Sequence, residues 1–132
     1  MDIKIENKDN RLLCRMFTDT GQQVCVCGIS IDRTLNEWNI TEWHTEKGFK
    51  HQGLGKVTMQ KALYVCREQY GMPDDILYTW NGANAYVMDW LEENFDAECT
   101  CPIAVQKNQC DDDWSSHIYR LNKEKVFLFF GC

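Results

Sequence analysis

The stretch from Trp38 to Tyr70 constrains this chain more than any other. A run of strand character, Trp38 to Thr45, passes through Lys50-His51-Gln52-Gly53-Leu54-Gly55 into a segment whose apolar residues Met59, Ala62, Leu63, Cys66 and Tyr70 recur at helical spacing. A basic, glycine-rich turn between a strand and a helix can aim consecutive backbone N–H groups at an anion, and the helix N-terminus adds about half a positive charge. Gly53 and Gly55 carry no side chain to keep an anion off the backbone, while Lys50, His51 and Lys56 put charge at the rim. The structural alternative is a turn whose glycines only let the helix pack close to the strand. Gly71-Met72-Pro73 ends the helix, since glycine supplies a left-handed cap and proline cannot continue the turn.

The remaining segments alternate between the two periodicities. Arg11 to Phe17 and Val24 to Ile31 are β-rich and flank Asp19-Thr20-Gly21, which predicts an antiparallel hairpin. Ile76 to Trp80 reads as a buried strand. A second helix is expected from about Ala83 to Glu93, with Val87, Met88, Leu91 and Phe95 inward and Asn94 as its left-handed stop. Ala97 to Val105, Trp114 to Leu121 and the aromatic run Val126 to Phe130 are expected to be strands, the last buried or pairing with a second subunit. The expected order is ββ(β)αβαβ(ββ), an α+β arrangement around one sheet.

With 132 residues and 44% hydrophobic content, the chain suits one core, and a single domain over residues 1–132 is expected. No segment reaches the roughly 18 uninterrupted apolar residues that cross a bilayer. The N-terminus alternates apolar with charged residues and lacks the apolar run of an export signal, which makes the cytoplasm the expected location. Of the eight cysteines, Cys14, Cys25, Cys27 and Cys66 lie in apolar runs and read as buried free thiols. Twenty acidic against fourteen basic residues give a net charge of −6, a balance that disfavours nucleic acid and suits a neutral or cationic partner.

On Lys50-His51-Gln52-Gly53-Leu54-Gly55 the sequence resembles the GNAT N-acetyltransferases, whose pyrophosphate loop reads Arg/Gln-x-x-Gly-x-Gly/Ala between a central strand and a long helix. Both glycine positions match, and Lys50 stands where the family has Arg or Gln. The likeness runs from Trp38 to Phe95 and includes Asn84 or Asn81, Tyr86, Trp90 and Asn94-Phe95 in the second helical stretch. The resemblance implies a mixed, mostly antiparallel sheet flanked by helices, with two central strands splayed around acetyl-coenzyme A as co-substrate. Trp43, Thr45, Lys50, His51, Gln52, Gly53, Leu54, Gly55, Lys56 and Asn84 would contact the cofactor, and an amine acceptor would attack the thioester directly.

Direct attack needs a neutral amine, so a carboxylate or imidazole should remove a proton through water. Glu42 and His44 share one face of a regular strand and are the candidates, the alternative for each being an ordinary polar surface residue. The family's thiol-protonating tyrosine falls at Trp90, whose indole cannot act as an acid, and Tyr86 one turn earlier is the candidate substitute. Trp90 in that position also leaves open a non-catalytic module that binds coenzyme A or a protein. Cys99-x-Cys101, Cys110 and His117 lack the spacing of common zinc pairs, so no metal is expected. The acidic run Asp111-Asp112-Asp113 reads as a solvated loop, and the aromatic end as a homodimer contact.

Overall fold

Alternating short apolar and polar residues build the N-terminal half as a meander. The computed structural model describes residues 1–80, 85–100 and 117–131, and of residues 80, 85–88 and 117 the backbone alone. Strands β1 (Asp2–Lys8), β2 (Arg11–Phe17), β3 (Gln23–Asp32) and β4 (Glu37–Thr45) pair successively antiparallel. Asp9 and Asn10, at φ 53° and 58°, close the first hairpin. Helix α1 (Leu54–Tyr70) crosses over so that β5 (Asp75–Trp80) lies parallel to β4. Then come α2 (Ala85–Phe95), β6 (Glu98–Cys99), β7 (His117–Leu121) and α3 (Lys123–Phe130). The sheet order is β1-β2-β3-β4-β5-β7-β6, mixed and mostly antiparallel as expected.

One face of this sheet carries the core. Cross-strand partners share a face, and the buried chain Leu12, Ile29, Ile40, Tyr78, Tyr119 runs across five strands. Met59, Ala62, Leu63 and Cys66 of α1, Leu91 and Phe95 of α2, and Val126, Phe127 and Phe130 of α3 pack into the same cluster. The largest wholly buried side chain among the described residues, Trp38, meets the Phe127 ring edge-on at 5.9 Å. At its far end α1 is tied to β1, since the Tyr70 hydroxyl donates to Asn7 Oδ1 at 2.7 Å and the Asn7 amide donates to Gln69.

Two expectations are corrected, and one strand is added to those expected. The alternating N-terminus is itself the edge strand β1, with Ile3 and Ile5 facing Met16 and Cys14. Val126 to Phe130 is helical, not a strand: the Asn122 side chain caps α3 by accepting from Lys125 N at 3.0 Å, and Val126, Phe127 and Phe130 then fall on one buried face. The aromatic run therefore offers no strand for subunit pairing. Asn94 stays helical with its amide donating to the Trp90 carbonyl at 2.9 Å, and Asp96, at φ 50°, takes the left-handed position. The helix runs that far because Phe95 is buried. Of the expected strand Ala97 to Val105 only Glu98–Cys99 is paired among the described residues; Cys101, Cys110, Asp111 to Asp113 and Trp114 lie outside them.

Cys14, Cys25, Cys27 and Cys66 are buried and free, as expected. Burial pushes the Cys14 thiol up to about 11 and the Cys66 thiol up to about 12, while unfolding would return both to their ordinary value near 9. Between pH 9 and 11 the unfolded chain therefore loses protons that the folded chain keeps, and stability falls with rising pH. Each thiol contributes about 1.4 kcal/mol per pH unit. Denaturant melts across this window are expected to show a slope smaller by about that amount in Cys66→Ala than in the wild type.

Candidate functional site

The site begins with one extra residue in β4. Ile29 faces Ile40 and Gly28 faces Glu42, so Thr41 is bulged out of the ladder and its hydroxyl approaches the Gly28 carbonyl at 3.4 Å. A bulge bends the strand and exchanges the faces of all residues beyond it. Trp38 and Ile40 point to the core before it, and Trp43 and Thr45 do so after it, opposite Cys27 and Cys25. Pairing with β5 stops at Ile40↔Tyr78, although β4 continues to Thr45 and β5 to Trp80. The two central strands thus part, and the β4 backbone from Thr41 onward has no partner on β5.

Helix α1 starts beside this opening. Gly53 is its N-cap in the left-handed conformation, φ 75°, with open space where a Cβ would point. The first closing bond of the helix runs from Val57 N to Gly53 O, at 3.1 Å. The amides of Gly53, Leu54, Gly55 and Lys56 have no acceptor among the described residues, the unfilled donors that any helix N-terminus presents. Lys50, His51, Gln52 and Lys56 are exposed around them. Lys56 Nζ lies 4.6 Å from the centre of the Phe129 ring. Leu54 turns inward against Met16, Val24 and Cys25 and anchors the turn.

Gly55 serves the packing role that the sequence left as an alternative. A Cβ there would stand 3.1 Å from Thr45 Oγ1 and 3.4 Å from Trp43 Nε1. The Trp43 indole N–H donates to the Gly55 carbonyl at 3.0 Å, which pins the first turn of α1 to the inner face of β4. Beneath it the wholly buried Thr58 hydroxyl donates to the Leu54 carbonyl at 2.8 Å. Cys25 Sγ lies 3.5 Å from Thr45 Oγ1; hydrogen bonding with Cys27, then with Thr45 and Thr58, lowers its thiol to about 6 against the opposing effect of burial. Burial raises its neighbour Cys27.

Glu42 and His44 share the opposite, outer face, as expected, but it is the bulge that puts them there. Glu42 forms an ion pair with Arg11, and His44 Nε2 lies 3.5 Å from Glu46 Oε1. All four side chains are substantially exposed, so water reaches them. Asn84 lies outside the described residues, as does the side chain of Tyr86.

The sequence reading missed the aromatic cluster at the inner side of the opening. Trp43 lies 5.8 Å from Trp90 and 5.7 Å from Phe130, and Trp90 meets Phe95 and Phe129 edge-on at 5.4 and 5.8 Å. Trp90 is therefore a packing residue. The signal for this cluster was Asn122 followed by Lys-Glu-Lys, a helix start that turns Phe129 and Phe130 toward Trp43 and Trp90.

The parallel central pair that opens beside a helix N-terminus makes this a mixed α+β sheet with a splayed centre. The particular fold is the GNAT type. It is similar to that of an acetyltransferase of the GNAT family from Staphylococcus aureus, with TM-score 0.61 and 15% identity, covering 84% of this chain and 67% of that one. A spermidine N-acetyltransferase variant from Vibrio cholerae aligns with TM-score 0.63 and 10% identity, covering 90% and 69%. The PaiA N-acetyltransferase from Thermoplasma acidophilum in complex with coenzyme A aligns with TM-score 0.58 and 12% identity, covering 85% of this chain and 60% of that one. The chain thus spans less than two thirds of the last protein. No family model matches the sequence, and no curated protein does.

The two glycines should respond differently to substitution. Gly55→Val forces a branched side chain between Trp43 and Thr45 and is expected to cost about 2 kcal/mol in denaturant melts. Gly53→Asn, at a left-handed position that asparagine tolerates, is expected to stay within about 1 kcal/mol of the wild type.

Proposed function

We propose that the chain is an N-acetyltransferase that carries an acetyl group from acetyl-coenzyme A to an amine by direct attack. The observation that supports this most is the set of unfilled amides from Gly53 to Lys56 beside a stretch of β4 that β5 does not pair. The residues present fit the cofactor. Four unfilled donors and an N-terminal helix dipole suit a diphosphate, the position of a Gly53 Cβ is open, and Lys50, His51, Gln52 and Lys56 stand exposed around them. Trp43 to Thr45 would offer backbone to the pantetheine arm, with Asn84 as a further contact. When bound, the co-substrate supplies a thioester, an acyl donor with a tolerable leaving group.

The acceptor would approach from the outer face, where Glu42 and His44 lie. Glu42, oriented by Arg11, takes the proton from the ammonium through water, and His44 with Glu46 offers a second relay. Tyr86 is proposed to return a proton to the thiolate. The buried thiols and the acidic balance suit a reducing, cytoplasmic setting and a cationic or neutral acceptor rather than nucleic acid. A second reading, a non-catalytic coenzyme A-binding module, is favoured by Trp90, which fills the position the resemblance gives to a tyrosine and packs against Phe95 and Phe129.

Calorimetric titration with coenzyme A and thiol release in the presence of mixed amines separate the readings. Gly53→Asp brings a carboxylate to the cradle, and is expected to weaken binding at least about tenfold relative to Gly53→Asn. Equal affinities would exclude this loop. Glu42→Gln is expected to bind acetyl-coenzyme A normally and lose turnover on the order of a hundredfold. Binding with no amine-dependent thiol release in the wild type would leave the module.

A further inference from the structure

The sheet ends in a strand with an unused edge. Among the described residues β1 pairs only with β2, at the opposite end of the sheet from β6. Asp9 and Asn10, both at positive φ, form a tight turn that makes Lys8↔Arg11 its closing hydrogen-bonded pair. Ladder bonds alternate in direction along a strand, so Lys8, Glu6, Lys4 and Asp2 aim their backbone groups at β2. Ile3, Ile5 and Asn7 then aim N–H and C=O outward, where no backbone of the described residues meets them. Edges are commonly blunted by proline or a bulge, but β1 has no proline and its register with β2 is unbroken.

Asp2, Lys4, Glu6 and Lys8 alternate in sign along the exposed face of this strand. Inside the chain they are poorly matched, since Lys4 stands opposite Arg15 and Lys8 opposite Arg11, like charges in direct register. Glu6 is held by Arg15 at 2.8 Å, and Lys4 lies 5.1 Å from the centre of the Phe17 ring. Asp2 and Lys8 have no ion partner among the described residues. A second copy laid antiparallel about Ile5 changes the match: Lys4 then faces Glu6 and Asp2 faces Lys8, and symmetry repeats each pair. The same register sets Ile5 against Ile5 and Ile3 against Asn7, the residues whose backbone groups point outward. A slip of two residues puts Lys4 against Lys4 and Asp2 against Glu6, or Glu6 against Glu6 and Lys4 against Lys8. A slip of one sets isoleucines against charges.

We propose that β1 is a homodimer seam, in which two copies of this chain pair their first strands antiparallel about Ile5 and continue the sheet from one subunit into the other. The occupant is a second copy because the strand is its own electrostatic complement in the register that pairs its whole length. The open backbone edge supplies the affinity, and the charges choose the register. Antiparallel pairing sends the two Asn7–Tyr70 contacts, where α1 is tied to β1, to opposite ends of the seam. Strands β2 and β3 separate the seam from β4, so it stands whether or not the chain transfers an acetyl group.

The test is sedimentation equilibrium of the full chain with charge reversals made singly, together and in mixture. The wild type is expected to show a reversible monomer–dimer equilibrium that weakens with added salt. Lys4→Glu alone and Glu6→Lys alone each set like charges across the seam twice, and each is expected to weaken the dimer at least about tenfold. Glu93→Lys, an exposed position on α2, should leave it unchanged. An equimolar mixture of the two single variants brings opposite charges back together and is expected to form a heterodimer at least about tenfold tighter than either variant alone. The double variant Lys4→Glu/Glu6→Lys should dimerise like the wild type, and recovery in the mixture also shows that both single variants fold. A wild type that stays monomeric at millimolar concentration, a dimer as tight in both single variants as in the wild type, or a mixture no tighter than its components overturns the seam.

Discussion

The bulge at Thr41 is the constraint from which the rest of the site follows. One residue more on β4 than on β3 turns the second half of the strand over, so the alternation that buries Trp38 and Ile40 then buries Trp43 and Thr45. Trp43 can reach the Gly55 carbonyl only from that inner face, and Glu42 and His44 are on the outer face for the same reason. The bend also takes β4 out of line with β5, and the parallel ladder ends at Ile40↔Tyr78. Gly28 tolerates the crowding opposite the bulge, since a Cβ there would stand 3.2 Å from both Glu42 Cβ and a Leu13 methyl.

The hairpin of β2 and β3, the strand β4, the helix α1 and its stop at Gly71 could be read from periodicity and turn residues. In these elements local preference and tertiary packing agree. The bulge left only a faint trace, the three-residue step from Ile40 to Trp43 where a regular strand would step by two. The α3 run Val-Phe-Leu-Phe-Phe misled because β-branched and aromatic residues favour strands in isolation. Its helical state is set by the Asn122 cap, a local signal, and by the burial of Val126, Phe127 and Phe130 against α1, α2 and the sheet, which no local pattern encodes. The edge strand β1 was hidden because its charged half faces solvent.

The candidate site divides in the same way. The glycine turn was legible because its chemistry is local, but the separate duties of its two glycines depend on β4: Gly53 lets the chain enter the helix left-handed, and Gly55 lets the helix touch Trp43 and Thr45. Glu42 and His44 could be paired from their spacing, whereas their partners Arg11 and Glu46 required the folded register.

The meander of β1 to β4 is joined by hairpins and pairs residues near one another in the chain, whereas the ring contacts of α3 with Trp38 and Trp43 join distant segments. Contacts of short loop closure form early, and those of long closure late. The sheet edge is therefore expected to assemble while Trp38 is still wet, and docking of α3, whose Phe127 meets it edge-on, is expected to be the step that dries it. Folding of this chain then has a natural last act at the inner wall of the cleft, the wall nearest its unfilled amides.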